Sequence, residues 1–229
     1  MNKRDFLRTA SAASMGVALG DLTSLFAQAA QVPPEDLARD EAFWSTIRAK
    51  FKLKPDYINL ENGYYCMQPQ EVLEAFIAHV REINTEASHY MRTKQYPNKA
   101  AVRDRLAGLA GCSPEELIIT RNTTESLDTV IAGFDWKPGD EAVMAEQDYG
   151  AMLDQFDLQA RRYGMLNRRI SLPLDPKSDE EIVDLYARQI NYKTRLLMIG
   201  HMVNITGHIL PVRKIVDMAH AKNVQVMVD

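Results

Sequence analysis

The chain has 229 residues, of which 46% are hydrophobic and 25% charged, and its net charge is −4. This composition is that of an ordinary globular protein with a sizeable core, and no basic tract in the body of the chain indicates nucleic-acid binding. The two cysteines, Cys66 and Cys112, have no Cys-x-x-Cys or Cys/His spacing. The sequence therefore predicts neither a metal site nor a disulfide framework.

The N-terminal segment has the features of an export signal. Lys3 and Arg4 form a basic start, a weakly apolar stretch of small residues follows, and Ala27-Gln28-Ala29 matches an A-x-A cleavage site. We interpret residues 1–29 as a twin-arginine-like signal peptide of a periplasmic or exported bacterial protein. The alternative is an amphipathic N-terminal helix of a cytoplasmic protein. The apolar stretch, interrupted by Asp21, is too short to span a membrane.

Helical patterns dominate the next part of the chain. Residues 30–56 are predicted to form an N-terminal helical segment, with a short helix in DEAFWSTIRAKFKL. The run DYINLENGYYCMQP indicates a strand fragment and then a loop. Two further helices are predicted in QEVLEAFIAHVREI and KAAVRDRLAGLAG, because their apolar residues recur at helical spacing, and Gly111 ends the second.

Strand-like runs then alternate with helical patterns. The strand-like runs are ELIITRN, EAVMAEQ, LNRRISL, TRLLMIGHM and VQVMVD. The helical patterns between them are TESLDTVIAGF, AMLDQFDLQARRYG, DEEIVDLYARQI and PVRKIVDMAHAKN. This alternation predicts βαβ units, and so an α/β domain with a mainly parallel sheet and helices on both faces, over residues 57–229.

Polar or aromatic residues follow the predicted strands. They are Asn122-Thr123-Thr124, Gln147-Asp148-Tyr149, Asn204 in a loop that turns at Gly207, and Asp229. In open α/β sheets, ligands bind beyond the carboxyl ends of the strands. The sequence therefore places a ligand site among these clusters.

Each cluster allows a chemical and a structural interpretation. Thr123 and Thr124 begin a predicted helix, where free N–H groups and the helix dipole favour an anion, but Asn122 and Glu125 also match a capping box. Tyr149 can stack on a planar ligand or cover a strand end. A buried carboxylate is costly unless it meets a cation. A protonated pyridine ring beside Asp229 would be such a cation and an electron sink for carbanions.

Four motifs together resemble the class V aminotransferases, which are fold-type I enzymes dependent on pyridoxal phosphate. The motifs are INLENGYYCMQP, TRNTTESLDTVIAG, GDEAVMAEQDYGAMLDQF and GHMVNITGHILPVRKIVDMAHAKNVQVMVD. The resemblance runs from about Tyr57 to Asp229 and is strongest to the isopenicillin-N-epimerase-like branch. It implies a homodimeric enzyme that acts on the amino group of a small-molecule amino acid or aminoacyl substrate, by transamination or epimerisation.

The resemblance also implies roles for individual residues. Thr123 and Thr124 would bind the cofactor phosphate, Tyr149 would stack on the pyridine ring, Asn204 would contact the ring hydroxyl and Asp229 the ring nitrogen. In addition, Tyr64 would face the substrate region. Cysteine desulfurases of this class typically carry a histidine at the position of Tyr149, which disfavours that activity.

The chain also departs from the family pattern. No lysine in it matches the family's Schiff-base motif, so we expect that lysine and the small C-terminal domain to lie beyond Asp229, and the large domain over residues 57–229 to be partial. We expect such a fragment to be inactive by itself. The alternatives are a cysteine desulfurase or lyase of the same class, a non-catalytic periplasmic α/β ligand-binding protein, or a remnant without a function. We interpret His89 and the other single histidines as structural.

Overall fold

The computed structural model describes residues 20–63 and 65–229. The basic start of the predicted signal peptide, with Lys3 and Arg4, lies outside the described residues, and so does the predicted substrate residue Tyr64. The chain divides into two compact units, Met1–Ile119 and Thr120–Asp229.

The described part of the first unit is helical. Its helices are α1 (Gly20–Ala29), α2 (Pro34–Leu37), α3 (Glu41–Ala49), α4 (Gln70–Glu86), α5 (Ser88–Thr93) and α6 (Gln95–Ala110), with a 3-10 turn at Pro114–Glu116. The three helices predicted after residue 30 correspond to α3, α4 and α6. Helix α6 ends at Gly111, whose φ of +74° is the left-handed conformation that glycine adopts readily. No helix in the described ranges is long and apolar enough to cross a membrane.

A sharp change of direction at Ala87 separates α4 from α5. The Ala87 N–H donates to the Ile83 carbonyl at 2.8 Å, which closes α4, and the Ala87 carbonyl accepts from the Met91 N–H at 3.3 Å in the next helix. Ala87 has φ +47° and ψ −122°. A residue with a Cβ rarely adopts this conformation, so the backbone is strained at the junction.

Two predicted strands do not form within the described residues. The segment from Tyr57 to Leu60, predicted as a strand fragment, and the run from Leu117 to Arg121 are both irregular. Ile118 keeps 83% of its surface exposed. A run with strand-like composition becomes a strand only when a neighbour pairs with its backbone, and no described segment does so here.

The second unit contains a four-stranded parallel sheet with strand order β2-β1-β3-β4. In chain order its elements are α7 (Thr123–Gly133), β1 (Glu141–Ala145), α8 (Gly150–Tyr163), β2 (Leu166–Ile170), α9 (Asp179–Gln189), β3 (Thr194–Ile199), α10 (Val212–His220) and β4 (Gln225–Val228). Each helix after β1 connects two parallel strands. The predicted α/β class is confirmed, with four of the five expected strands.

Side chains of the central strands alternate between two buried layers. Val143 on β1 and Leu197 on β3 point into a layer covered by α9 and α10, which is rich in isoleucine, leucine and valine. Met144 and Met198 point into the opposite layer, covered by α7 and α8. Five methionines are buried in that second layer: Met144, Met152, Met165, Met198 and Met227. The sheet is therefore covered on both faces, and its carboxyl edge is where a ligand can enter.

Candidate functional site

Strands β1 and β3 are neighbours in the sheet, but the chain leaves them toward opposite faces. After β1 it enters α8, which packs on the methionine-rich layer, and after β3 it reaches α10, which packs on the other layer. The two connections therefore diverge beyond the carboxyl ends of the strands. This topological switch point is the usual ligand site of open α/β sheets.

Asp148 lies at the point where the two strands separate. Its Oδ2 accepts a hydrogen bond from the Ala145 N–H at 2.8 Å, and its Oδ1 accepts one from the Gly200 N–H at 3.1 Å. The Asp148 side chain is only 4% exposed. One carboxylate therefore links the last residue of β1 to the first residue after β3. The sequence placed Asp148 in a polar cluster but assigned it no role.

The electrostatic environment of Asp148 is unusual for an aspartate. Burial raises the pKa of Asp148 to about 6, and the negative charge of Asp229 acts in the same direction, while the two N–H donors oppose the rise. The buried Tyr186 hydroxyl on α9 has no hydrogen-bond partner within the described residues. Burial, together with the Asp148 charge, raises the pKa of the Tyr186 hydroxyl. Tyr186 is therefore a neutral neighbour of this carboxylate.

Asp229 follows β4 and is held by its backbone against the end of β3. Its N–H donates to the Ile199 carbonyl at 2.9 Å, and its carbonyl accepts from the His201 N–H at 2.8 Å. Within the described part of the chain, its side-chain carboxylate has no hydrogen bond or ion pair. Burial raises the pKa of Asp229. A partly buried carboxylate without a counter-ion is suited to bind a cationic group.

Gln147 and Tyr149 complete the turn between β1 and α8. The Gln147 Oε1 accepts from the Leu172 N–H at 3.0 Å, and its Nε2 donates to the Leu172 carbonyl at 3.3 Å. This pair links the end of β1 to the segment after β2. Tyr149 occupies the N-cap position of α8, and 37% of its surface is exposed. The Tyr149 ring is therefore accessible, whereas the side chains of the two preceding residues, Gln147 and Asp148, are held by hydrogen bonds.

Asn204 lies in a short hairpin that begins where β3 ends. Met202 and Ile209 form an antiparallel bridge, and the Val203 N–H donates to the His208 carbonyl at 2.9 Å. The chain turns back at Gly207, with φ +73°, as the sequence predicted. Asn204 is exposed in the turn, and its amide makes no hydrogen bond within the described residues.

The start of α7 is a helix cap, as one of the two interpretations predicted. The Asn122 Oδ1 accepts from the Glu125 N–H at 2.9 Å, but the Glu125 carboxylate accepts from the Arg121 N–H at 2.8 Å and not from that of Asn122. The N–H groups of Thr123 and Thr124 have no partner within the described ranges. The cap thus leaves two donors and two hydroxyls available to an anion, and the two interpretations are compatible.

The predicted site residues are found at two places in the second unit. Tyr149 and Asp229 both lie next to the Asp148–Gly200 link, and the hairpin that carries Asn204 starts at the same place. Thr124 instead lines an open depression of about 620 Å³ beside α7, with Arg121, Asp128 and Gln155 among the other lining residues. The roles predicted for these side chains remain predictions.

Two lysines near the sheet, Lys214 and Lys222, form ion pairs or hydrogen bonds away from the switch point. Lys214 pairs with Asp179 at 2.9 Å and with Glu180 at 2.7 Å, and Lys222 donates to the Ala187 carbonyl at 2.9 Å. Lys214 lies on α10, and Lys222 lies in the turn that follows this helix. Among the described residues, no group of three or more metal-ligating side chains is found.

The fold is that of an α/β protein whose parallel sheet has a topological switch point between β1 and β3. The aminotransferase class-V family model matches residues 60–229. The chain therefore belongs to the class V aminotransferase family, as its motifs predicted.

Curated relatives of two kinds are similar to this chain. Isopenicillin N epimerase of Amycolatopsis lactamdurans is 28% identical over 81% of this chain and 47% of its own length. The epimerase of Streptomyces clavuligerus is 26% identical over 82% of this chain and 47% of its own length. A cysteine desulfurase of Haloferax volcanii is 28% identical over 75% of this chain and 42% of its own length. The chain thus spans about half the length of the curated relatives it matches.

Solved structures confirm the fold. The cysteine desulfurase CsdA of Escherichia coli superposes with a TM-score of 0.66 at 25% identity, over 81% of this chain and 48% of its own. A mutant of C-DES with glycine covalently linked to its PLP cofactor gives a TM-score of 0.71 at 24% identity. The match covers 80% of this chain and 49% of the C-DES chain.

Proposed function

We propose that this chain provides the cofactor-binding region of a pyridoxal phosphate enzyme that acts on the amino group of an amino acid or aminoacyl compound. Pyridoxal phosphate is the cofactor that membership of the class V family indicates. The observation that carries the proposal is the unpaired, partly buried carboxylate of Asp229, placed beside the switch point of the sheet. A site for a neutral ligand would not need this charge.

The donor set fits the chemistry of the cofactor. Its phosphate requires N–H and hydroxyl donors, which Thr123 and Thr124 supply at the start of α7. Its pyridinium nitrogen requires an anion, and Asp229 has no other partner among the described residues. Its flat ring requires an accessible aromatic face, which Tyr149 presents. The amide of Asn204 is free to bond the ring hydroxyl.

The bound group would supply an electron sink for a carbanion next to its imine carbon. The chain's own residues support this in two ways. The Asp229 carboxylate stabilises a proton on the ring nitrogen, because an ion pair in a partly desolvated place favours both charged forms. Tyr149 fixes the ring plane. The residues that move protons on the substrate decide the reaction, and we assign none of them within the described ranges.

Within the family, we favour an epimerase- or aminotransferase-like activity over desulfuration. Tyr149 supports this choice because it stands where cysteine desulfurases typically carry a histidine. An imidazole is suited to exchange a proton near neutral pH, and this chain has none at that position. A desulfurase remains the second candidate, since curated desulfurases match with identity similar to that of the epimerases. We also propose that the whole protein is a homodimer.

Cofactor binding by the 229-residue chain tests the proposal. We expect equilibrium dialysis to show saturable binding of pyridoxal phosphate and an Asp229→Asn variant to bind at least about tenfold more weakly, because a charge-assisted hydrogen bond is lost. Asp175→Asn is the matched control, since Asp175 is exposed and makes no described contact. Equal affinity of all three proteins would contradict the proposed role of Asp229, and absence of binding would contradict the proposed function. A non-catalytic α/β binding protein would instead retain an amino acid without the cofactor.

A further inference from the structure

We propose that Asp148 is a positioning residue, which fixes the Tyr149 turn and the Asp229 backbone in one arrangement by bridging the diverging ends of β1 and β3. The inference rests on the proposed function, because it concerns the two residues that would hold the cofactor ring.

The bridge satisfies backbone donors that the sheet leaves without partners. The last aligned pair between β1 and β3 is Val143 with Leu197, after which the strands separate. Beyond that point, the Ala145 and Gly200 N–H groups need acceptors, and the two Asp148 oxygens supply one each. Buried N–H groups are nearly always paired, so this carboxylate replaces the missing strand contact.

The same bridge reaches Asp229 through a short chain of backbone bonds. Gly200 lies between Ile199, whose carbonyl accepts the Asp229 N–H, and His201, whose N–H donates to the Asp229 carbonyl. Fixing the Gly200 N–H therefore restricts both peptide groups that hold Asp229. On the other side, Tyr149 directly follows Asp148 in the chain, so the bridge fixes the backbone from which the Tyr149 ring extends.

The Asp148 carboxylate packs directly against the Gly200 backbone. A Cβ on Gly200 would lie 3.4 Å from the Asp148 Oδ1, which is an ordinary van der Waals contact. The titratable group that acts on Asp148 within the described residues is Asp229, and the Asp148 charge in turn raises the pKa of the Tyr186 hydroxyl on α9. No described cation is paired with Asp148, so its oxygens are committed to the two backbone donors.

An Asp148→Asn variant tests the inference, with Asp154→Asn as the matched control. Asparagine offers one acceptor oxygen and turns an NH2 group toward the other backbone donor, so one arm of the bridge is lost. Asp154 is exposed on α8 and makes no described contact. In the ligand-free chain, we expect amide hydrogen exchange at Gly200, His201 and Asp229 to accelerate at least about tenfold in the Asp148 variant, while the β1–β2 ladder exchanges as in the wild type.

Two further readouts separate positioning from general loss of stability. In wild-type NMR spectra, the Gly200 amide signal should titrate with the carboxylate that accepts its hydrogen bond, and this titration should be absent in Asp148→Asn. The variant should bind pyridoxal phosphate about tenfold more weakly than Asp154→Asn. Unchanged exchange at His201 and Asp229, or equal cofactor affinity of the two variants, would overturn the inference. If neither the wild type nor the control binds the cofactor, the proposed function fails first, and the inference falls with it.

Discussion

The carboxylate of Glu141 accepts a 2.7 Å hydrogen bond from the Asn191 side chain, 50 residues later in the chain. Its other oxygen accepts from Arg168 at 2.7 Å, and Glu141 is only 2% exposed. This network lies at the amino end of β1, at the opposite edge of the sheet from the candidate site. It joins β1 to β2 and to the turn before β3, so the two ends of the strands are held by different carboxylates.

We expect Glu141→Gln to lower the free energy of unfolding by about 1–3 kcal/mol at neutral pH, because a charge-assisted hydrogen bond to a buried group is lost. The hydrogen bond from Arg168 is the largest influence that holds the pKa of Glu141 below its ordinary value of 4.5. This stabilisation is therefore present above that value and is lost as the pH falls through the lower folded-state pKa. Urea unfolding at several pH values measures it. Glu146→Gln, at an exposed position just after the carboxyl end of β1, should change little.

The contribution of Asp148 to folding stability depends on pH in the opposite direction. Its folded-state pKa of about 6 exceeds the ordinary value of 3.8, so the folded protein keeps this proton after the unfolded chain has released it. The contribution to stability is complete below pH 3.8 and is lost as the pH rises to about 6. The difference between the two values corresponds to about 3 kcal/mol.

We therefore expect the wild type to lose about 2 kcal/mol of stability relative to Asp148→Asn between pH 4 and pH 6, since asparagine does not titrate. Chemical denaturation of both proteins across this range gives the difference. Asp154→Asn should follow the wild type at every pH. A constant difference between the wild type and Asp148→Asn would show that Asp148 ionises normally.

A substitution at the start of α7 should separate phosphate binding from ring binding. We expect Thr124→Val to weaken pyridoxal phosphate binding about tenfold and to leave the affinity for pyridoxal, which lacks the phosphate, unchanged. Thr129→Val is the control, because the Thr129 hydroxyl already donates to the Glu125 carbonyl at 2.7 Å. An equal loss of affinity for pyridoxal phosphate and for pyridoxal would mean that Thr124 supports the helix and does not contact the phosphate.

Glycine at position 87 should stabilise the first unit. Ala87 has φ +47°, which glycine adopts without a Cβ clash, although glycine also has more freedom in the unfolded chain. We expect Ala87→Gly to raise the free energy of unfolding by about 1 kcal/mol, the net of these two effects. Ala100→Gly, in the middle of α6, should instead lower it by about 0.5–1 kcal/mol. Thermal unfolding of the two variants gives the comparison. A lower free energy of unfolding in both variants would show that the backbone at Ala87 is not strained.

The sheet could be predicted because its strands carry their own signals. EAVMA and TRLLMI are apolar on both faces, as strands covered by helices must be, and the connecting helices show clear apolar periodicity. The predicted cap residue Asn122 also agreed, because its side chain accepts the Glu125 N–H at the start of α7. The run around Ile118 has the same composition as a strand, but pairing depends on a neighbour that local sequence does not specify.

The candidate site was only partly predictable, for a related reason. Asp229 follows β4 directly, and Tyr149 and Asn204 lie in the connections that follow β1 and β3, so their placement at the carboxyl edge follows from the topology. The role of Asp148 depends on an N–H group 52 residues away, at Gly200, and no local pattern encodes that contact. The strand order, which decides that β1 and β3 are neighbours, likewise follows from tertiary packing.

The two layers of the sheet differ in how they can respond to a ligand. Branched aliphatic side chains on the α9–α10 side have few rotamers and hold one shape. Methionines on the α7–α8 side have three flexible torsions, so that layer can adjust without opening voids. Helix α7, which carries Thr123 and Thr124, therefore packs against a layer of side chains that can change conformation. The side chains of the opposite layer are more rigid. Movement that accommodates a bound anion should be confined to the softer side.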